Sequence, residues 1–182
     1  MSLEKHFPQK KVLIIREPGT TPLGLELRKL LLERKEISIS VKTQVVLFIA
    51  SRLETWTTVI APALDQGHII IADRWHLSTI AYQSAISKTR IKPWIEMVCG
   101  DLLPYYPKTI VLDLPINEAL SRIKEKNPDR YESLDLNFYT RLRDLYINQK
   151  VLGDKSIKVV DAQGEPEEVQ TRLLNCFLDW QD

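Results

Sequence analysis

The 182 residues of this chain correspond to about one domain, and 44% of them are hydrophobic, enough for a core that needs neither disulfides nor a structural metal. Charged residues make up 27% and the formal net charge is +1, which excludes a disordered chain and disfavours a polybasic nucleic-acid-binding protein. The two cysteines, Cys99 and Cys176, have no metal-ligand spacing. They argue against a secreted disulfide scaffold and predict a cytoplasmic location. With no signal peptide at residues 1–11 and no long apolar run, we also expect no membrane partner.

Short apolar runs rich in β-branched residues predict four strands, at residues 12–15, 69–72, 109–112 and 157–160. The first three runs are apolar almost throughout, which is typical of strands covered on both faces in a parallel sheet. Helical spacing of apolar residues predicts helices at 22–35, 43–65, 78–87, 92–103, 117–126, 136–152 and 165–180. This alternation predicts one α/β domain over residues 1–182 with a largely parallel sheet.

Polar residues directly follow three of the four predicted strands. Arg16 and Glu17 follow the first, Asp73 and Arg74 close the second, and Asp113 closes the third. In open parallel sheets, ligands bind beyond the carboxyl ends of the strands. The sequence therefore predicts a binding site at this edge.

Four short motifs lie in order along almost the whole chain. Residues 16–21 read Arg-Glu-Pro-Gly-Thr-Thr, and residues 47–52 read Leu-Phe-Ile-Ala-Ser-Arg. Asp-Arg-Trp at 73–75 precedes Ser-Thr-Ile-Ala-Tyr-Gln at 78–83, and Asp-Arg-Tyr-Glu occupies 129–132. These resemble the Arg-Glu-Pro-Gly-Gly-Thr loop, the Leu-Phe-Ala-Ala-Xaa-Arg helix, the Asp-Arg-Tyr signature and the Asp-Arg-Phe-Glu lid end of the thymidylate kinase family. One such motif is weak, but four in the same order are a specific signal.

The resemblance implies a three-layer α/β fold of the nucleoside monophosphate kinase type, a P-loop NTPase fold with a parallel sheet flanked by helices and a lid at about 122–132. In the family, a strand and a phosphate-binding loop of the pattern GxxxxGK(S/T) come before the Arg-Glu-Pro-Gly strand. This sequence contains no such pattern. We therefore expect the fold without that first strand and loop, as a shortened form of a longer kinase or as a divergent paralogue with a closed-up sheet. We favour the shortened form, because the acceptor-site motifs are intact.

The implied function is that of a thymidylate kinase, a transferase that phosphorylates dTMP to dTDP with ATP and its bound Mg²⁺, as a homodimer. Two alternatives remain: a catalytically silent paralogue that binds dTMP or dimerises, and a kinase for another nucleotide. Without the phosphate-binding loop, we expect these 182 residues to retain dTMP binding better than turnover.

Eight residues are assigned to dTMP binding by the resemblance: Glu17, Arg28, Phe48, Arg52, Arg74, Thr79, Tyr82 and Gln83. Phe48 and Arg52 share a helix face, so that the ring stacks on the base and the guanidinium donates to the oxygen at position 4 of thymine. Arg74, with Arg28, offers a fork of donors for phosphate. By residue type alone, Phe48 also fits a core position, and Arg74 also fits an ion pair with its neighbour.

The resemblance further assigns catalysis to Asp73, Arg74, Arg122 and Arg130, and ATP binding to Ala162, Gln163 and Lys126. Cations on a mobile lid would hold the negative charge of the transferring phosphoryl group and exclude water. As bare sequence, the lid also fits a solvated charged surface. The three histidines have no ligand spacing, so no protein-bound metal is expected.

Overall fold

The computed structural model describes residues 3–87, 91–102, 107–124, 129–131, 135–148 and 156–180. The strands are β1 (Val12–Arg16), β2 (Ile69–Asp73), β3 (Thr109–Asp113) and β4 (Ile157–Asp161). The α-helices in these ranges are α1 (Leu3–His6), α2 (Pro22–Arg28), α3 (Val41–Thr55), α4 (Ala61–Asp65), α5 (His76–Ile86), α6 (Lys92–Leu102), α7 (Ile116–Lys124), α8 (Leu136–Ile147) and α9 (Pro166–Leu178). Each predicted strand is confirmed and is one residue longer than predicted.

The strands form two parallel pairs. β1 pairs with β2 in a register that aligns Arg16 with Asp73, and β3 pairs with β4 so that Asp113 aligns with Asp161. Parallel pairing is as predicted, but within the described ranges β2 and β3 share no hydrogen-bonded ladder. The closed-up sheet of the paralogue alternative is therefore not formed in the described part of the chain.

The strands are covered unevenly. Ile15, Val111 and Val160 are buried, whereas 73% of Ile14 and 50% of Leu112 are exposed. Successive side chains of a strand point to opposite faces, so helices that pack on one face bury every second residue. The prediction that the strands are covered on both faces is therefore wrong for the described residues.

Helix α3 is central to the part of the fold that carries the site. Its buried residues Val45 and Ile49 pack with Ile80 of α5 and Ile95 of α6. Helix α5 also packs along α8, where Ala81 belongs to a second buried cluster. These contacts fix α3 and α5 side by side. Five of the residues predicted to bind the nucleotide lie on these two helices.

Two predicted helices are interrupted by π-helical turns, at Lys29–Glu33 after α2 and at Trp56–Ile60 between α3 and α4. The second turn precedes Pro62. Proline has no N–H for the i→i−4 bond and its ring clashes with the carbonyl four residues earlier, so a wider turn relieves the clash. By length and composition alone, the continuous helix Val41–Asp65 is able to cross a membrane. A core helix passes the same test, and α3 packs against α2, α5 and α6.

Candidate functional site

The site begins at the adjoining ends of β1 and β2. The backbone N–H of Glu17 donates to the carbonyl of Asp73 over 3.0 Å, and Arg16 Nε lies 3.3 Å from Asp73 Oδ2. The chain then turns through Gly19, whose φ is +127°. A Cβ on Gly24 would lie 3.2 Å from the Gly19 nitrogen, so glycine allows α2 to pack directly on this loop.

Glu17 joins this loop to α3. Its side chain is 1% exposed, and its Oε2 accepts a 2.8 Å hydrogen bond from Ser51 Oγ. The Thr55 hydroxyl donates to Oε1. Ser51 and Thr55 are four apart and so share one helix face. Sequence reasoning missed both, although two hydroxyl residues at this spacing in an apolar helix were a signal.

One cavity of about 250 Å³ opens between this loop, α2, α3 and α5. All eight residues that were predicted to bind dTMP line it: Glu17, Arg28, Phe48, Arg52, Arg74, Thr79, Tyr82 and Gln83. Six further lining residues were not predicted: Arg16, Pro18, Leu32, Ser78, Asp129 and Tyr131. The structure thus brings the eight predicted residues together at one cavity, although the first, Glu17, and the last, Gln83, are 66 positions apart in the sequence.

One part of the cavity is cationic. Arg28 Nη1 donates to the Pro18 carbonyl over 3.0 Å, and burial and the neighbouring Arg16 lower the pKa of Arg28 below its usual value. Arg74 has a left-handed backbone, with φ +69°, that turns the chain between β2 and α5. Its guanidinium carbon lies 5.2 Å from the centre of the Tyr82 ring.

Arg74 is exposed and lines the cavity. Desolvation lowers the pKa of Arg74, while Tyr82, Tyr146 and Asp73 raise it, and the net pKa lies above the usual arginine value. The guanidinium is therefore charged at every physiological pH. A fixed cation next to Arg28 and Arg16 suits a phosphate group.

The other part of the cavity combines an aromatic face with polar groups. Phe48 is 8% exposed, and the guanidinium carbon of Arg52 lies 5.9 Å from its ring centre. Arg52 Nη2 donates to Thr79 Oγ1 over 2.6 Å, which orients the guanidinium between α3 and α5. Thr79 and Gln83 lie one turn apart on α5, and both are buried. A flat ring beside hydrogen-bonding groups suits a nucleobase.

Arg130, predicted to act in catalysis from the lid, is held by backbone carbonyls. Its guanidinium donates to the carbonyls of Leu31, Arg34 and Ile37 over 2.9, 2.6 and 3.0 Å. Leu31 belongs to the π-helical turn that continues α2, and Arg34 and Ile37 follow that turn, where intrahelical partners run out. Arg130 does not line the cavity in this structure, and its predicted part in phosphoryl transfer stays a prediction.

Among the other described residues predicted for catalysis and ATP binding, Arg74 lines the cavity, whereas four do not: Asp73, Arg122, Ala162 and Gln163. Asp73 pairs with Arg16 at the strand ends, and Arg122 is exposed on α7. Ala162 is buried after β4, where its N–H donates to the Asp113 carbonyl, and Gln163 is exposed beside it. Lys126 lies outside the described residues, as do four further residues of the predicted lid, 125, 127, 128 and 132. Within the described ranges, no group of three or more His, Cys, Asp or Glu side chains is placed to hold a metal ion.

A parallel α/β fold with a cationic and aromatic cavity at the strand ends defines a nucleotide-binding protein of the nucleoside monophosphate kinase class. Comparison with known proteins gives the particular family. The family model described as thymidylate kinase matches residues 1–173. The thymidylate kinase of Cereibacter sphaeroides is 37% identical over 172 residues, which cover 90% of this chain and 78% of that protein. The chain belongs to the thymidylate kinase family.

Two further relatives agree with this assignment. The thymidylate kinase of Chlamydia caviae is 34% identical over 175 residues, which cover 93% of this chain and 84% of that protein. The crystal structure of thymidylate kinase from Ehrlichia chaffeensis superposes with a TM-score of 0.74 at 25% identity, over 99% of this chain and 86% of that one. The family and the fold class predicted from the four motifs are thus confirmed, and the alternatives of a silent paralogue or a kinase for another nucleotide are not favoured.

Proposed function

We propose that the cavity holds dTMP as the phosphoryl acceptor and that the chain acts in the ATP-dependent phosphorylation of dTMP to dTDP. One observation carries this proposal: a single cavity is lined both by cations, among them Arg74 and Arg28, and by an aromatic ring with polar groups, among them Phe48 and Arg52. A nucleoside monophosphate has the same two ends, an anionic phosphate and a flat, polar-edged base.

The phosphate of dTMP would lie against Arg74 and Arg28, since guanidinium forks bind two phosphate oxygens at once. The base would stack on Phe48, with Arg52 donating to the oxygen at position 4 of thymine. Tyr82 lines the cavity in contact with Arg74, and its ring would pack against the sugar. A ribose 2′-hydroxyl would meet this ring, which favours a deoxynucleotide.

In the reaction, an oxygen of the dTMP phosphate attacks the γ-phosphorus of ATP. A new P–O bond forms, the bond from the γ-phosphorus to the β,γ-bridging oxygen breaks, and ADP leaves. The chemistry needs positioning and charge stabilisation rather than a covalent enzyme intermediate. We assign ATP contacts to Ala162, Gln163 and Lys126.

The described residues offer no cluster that fits a metal ion, and Mg²⁺ would enter with the ATP phosphates, whose charge it neutralises. The homodimer and the cytoplasmic location stay predictions.

Replacing Phe48 by alanine is expected to weaken dTMP binding by about 1–3 kcal/mol, because a base loses its stacking surface. Isothermal titration calorimetry with dTMP measures the change directly. Phe7→Ala is the matched control, since Phe7 packs edge-on against Phe177 and does not line the cavity. If wild type and Phe48→Ala bind dTMP equally well, the base does not stack there.

Wild-type protein is expected to prefer dTMP over dCMP, because cytosine presents an amino donor at position 4 to the Arg52 donors. Arg52→Met keeps the packing against Phe48 but removes every donor, and is expected to narrow the preference by about tenfold, the value of one good hydrogen bond to a charged group. Competition binding of the two nucleotides gives the ratio, with thermal unfolding as the check on folding. Equal affinity of the wild type for both nucleotides would contradict this role of Arg52.

A further inference from the structure

Three buried side chains form a closed hydrogen-bond network behind the base end of the cavity. Tyr131 OH donates to Gln44 Oε1 over 3.0 Å. Gln83 Nε2 donates to Tyr131 OH over 3.1 Å and approaches Gln44 Oε1 at 3.4 Å. Gln44 Nε2 donates in turn to the backbone carbonyl of Ile39 over 2.8 Å. The network therefore runs from a backbone carbonyl before α3, through Gln44 and Tyr131, to Gln83 on α5.

This network fixes which end of each amide points where. A glutamine amide can turn by 180° and exchange its oxygen and its NH₂ group, so its partners decide its orientation. The Ile39 carbonyl is an acceptor, so Gln44 must present its NH₂ group there and its oxygen to Tyr131. Burial raises the pKa of Tyr131 above its usual value, so its hydroxyl keeps the proton that it donates to Gln44.

Gln83 then has one orientation left. With its proton directed at Gln44, the hydroxyl of Tyr131 can only accept from Gln83, and the NH₂ group of Gln83 supplies that donor while also lying 3.4 Å from Gln44 Oε1. The Oε1 of Gln83 is buried and has no hydrogen-bond partner among the described residues. Because Gln83 is 1% exposed and lines the cavity, the group it has available for a ligand is an acceptor. A buried acceptor without a partner is costly, and a donor on the ligand removes that cost.

We propose that Gln44 and Tyr131 are positioning residues that set the Gln83 amide so that its oxygen selects a nucleobase with a ring N–H. This proposal rests on the proposed function, in which the cavity holds dTMP. Thymine carries an N–H at position 3, whereas cytosine has a bare ring nitrogen that would face the Gln83 oxygen, acceptor against acceptor. The selection is separate from that of Arg52, which reads position 4 of the base.

Two variants test whether Tyr131 and Gln44 position the Gln83 amide. Tyr131→Phe removes the hydroxyl and frees the Gln83 amide to turn. Gln44→Leu removes the acceptor of the Tyr131 proton, which the hydroxyl then donates to the Gln83 oxygen, so that the NH₂ group of Gln83 turns to the cavity. We expect the preference for dTMP over dCMP to fall by about tenfold in Tyr131→Phe and further in Gln44→Leu, the size of one unmade buried hydrogen bond.

The direction in which the affinity for dCMP changes is the decisive readout. Calorimetry measures the affinities of both variants for dTMP and dCMP. If Gln44 and Tyr131 position Gln83, the variants bind dTMP more weakly and bind dCMP as tightly as the wild type or more tightly. Structural damage would weaken both nucleotides alike. Tyr139→Phe is the control, because its hydroxyl donates over 3.4 Å to the backbone carbonyl of Tyr131 and Tyr139 does not line the cavity. We expect the ratio of its affinities for dTMP and dCMP to equal that of the wild type.

Thermal unfolding shows whether each variant folds, and either of the two is sufficient for the test. A dTMP to dCMP ratio that stays within about twofold of wild type in the folded variants overturns the proposal, since one lost hydrogen bond is worth more. In that case, a wild type that still prefers dTMP leaves the proposed function standing. A wild type that does not bind dTMP overturns the proposed function, and this proposal with it.

Discussion

Replacing Arg74 by alanine is expected to weaken dTMP binding by roughly 100-fold, because two charge-assisted hydrogen bonds to phosphate are lost. The guanidinium lies at the end of β2 with part of its surface open to the cavity, and its raised pKa keeps it charged. Alanine at this position adopts the same left-handed backbone as arginine, with φ +69°, so the turn itself carries no new strain. The expected loss therefore reports on the missing guanidinium.

Titration with thymidine separates the phosphate contact from damage to the cavity. Thymidine has no phosphate, so Arg74→Ala is expected to bind it about as well as the wild type does. Arg143→Ala is the matched control, since Arg143 forms an ion pair with Asp113 over 2.7 Å outside the cavity. If dTMP and thymidine lose the same factor in Arg74→Ala, the residue shapes the cavity and does not bind the phosphate.

The elements of the fold were largely predictable from local patterns. Continuous β-branched runs predicted the strands to within one residue, because such runs have few other stable conformations. The uneven coverage of Ile14 and Ile15 was not predictable, since it depends on where helices pack in three dimensions. The π-helical turn before Pro62 was signalled by the proline, but its widening, rather than a break, depends on the continued packing of the helix.

The candidate site was predicted from the resemblance of four ordered motifs to those of the thymidylate kinase family. The eight acceptor residues meet at one cavity, as expected for motifs at neighbouring strand ends and helix starts. Three sets of contacts were not foreseen: the hydroxyls that hold Glu17, the carbonyls that hold Arg130, and the hydrogen-bond network from Gln44 to Gln83. These contacts join positions 34 to 99 residues apart, and no local pattern carries that information.

Glu17→Ala is expected to lower the free energy of unfolding by about 2–4 kcal/mol, because two buried hydroxyls lose their acceptor at about 1–3 kcal/mol each. Ser51 and Thr55 are fully buried and both donate to the Glu17 carboxylate. Urea denaturation gives the change. Glu17→Gln is expected to cost much less, since the amide oxygen still accepts one bond and a hydroxyl accepts the other from the NH₂ group.

The origin of this cost is tested by removing the hydroxyls as well. In a Ser51→Ala, Thr55→Val background no donor remains to be left unpaired, so Glu17→Ala is expected to cost clearly less there than in the wild type. An equal cost in both backgrounds would mean that these hydroxyls do not hold the carboxylate. Since Ser51 and Thr55 lie on the same helix as Phe48 and Arg52, release of the loop from α3 is also expected to weaken dTMP binding. A Glu17→Ala protein that is destabilised yet binds dTMP as tightly as wild type would show that the loop and the base end of the cavity are positioned independently.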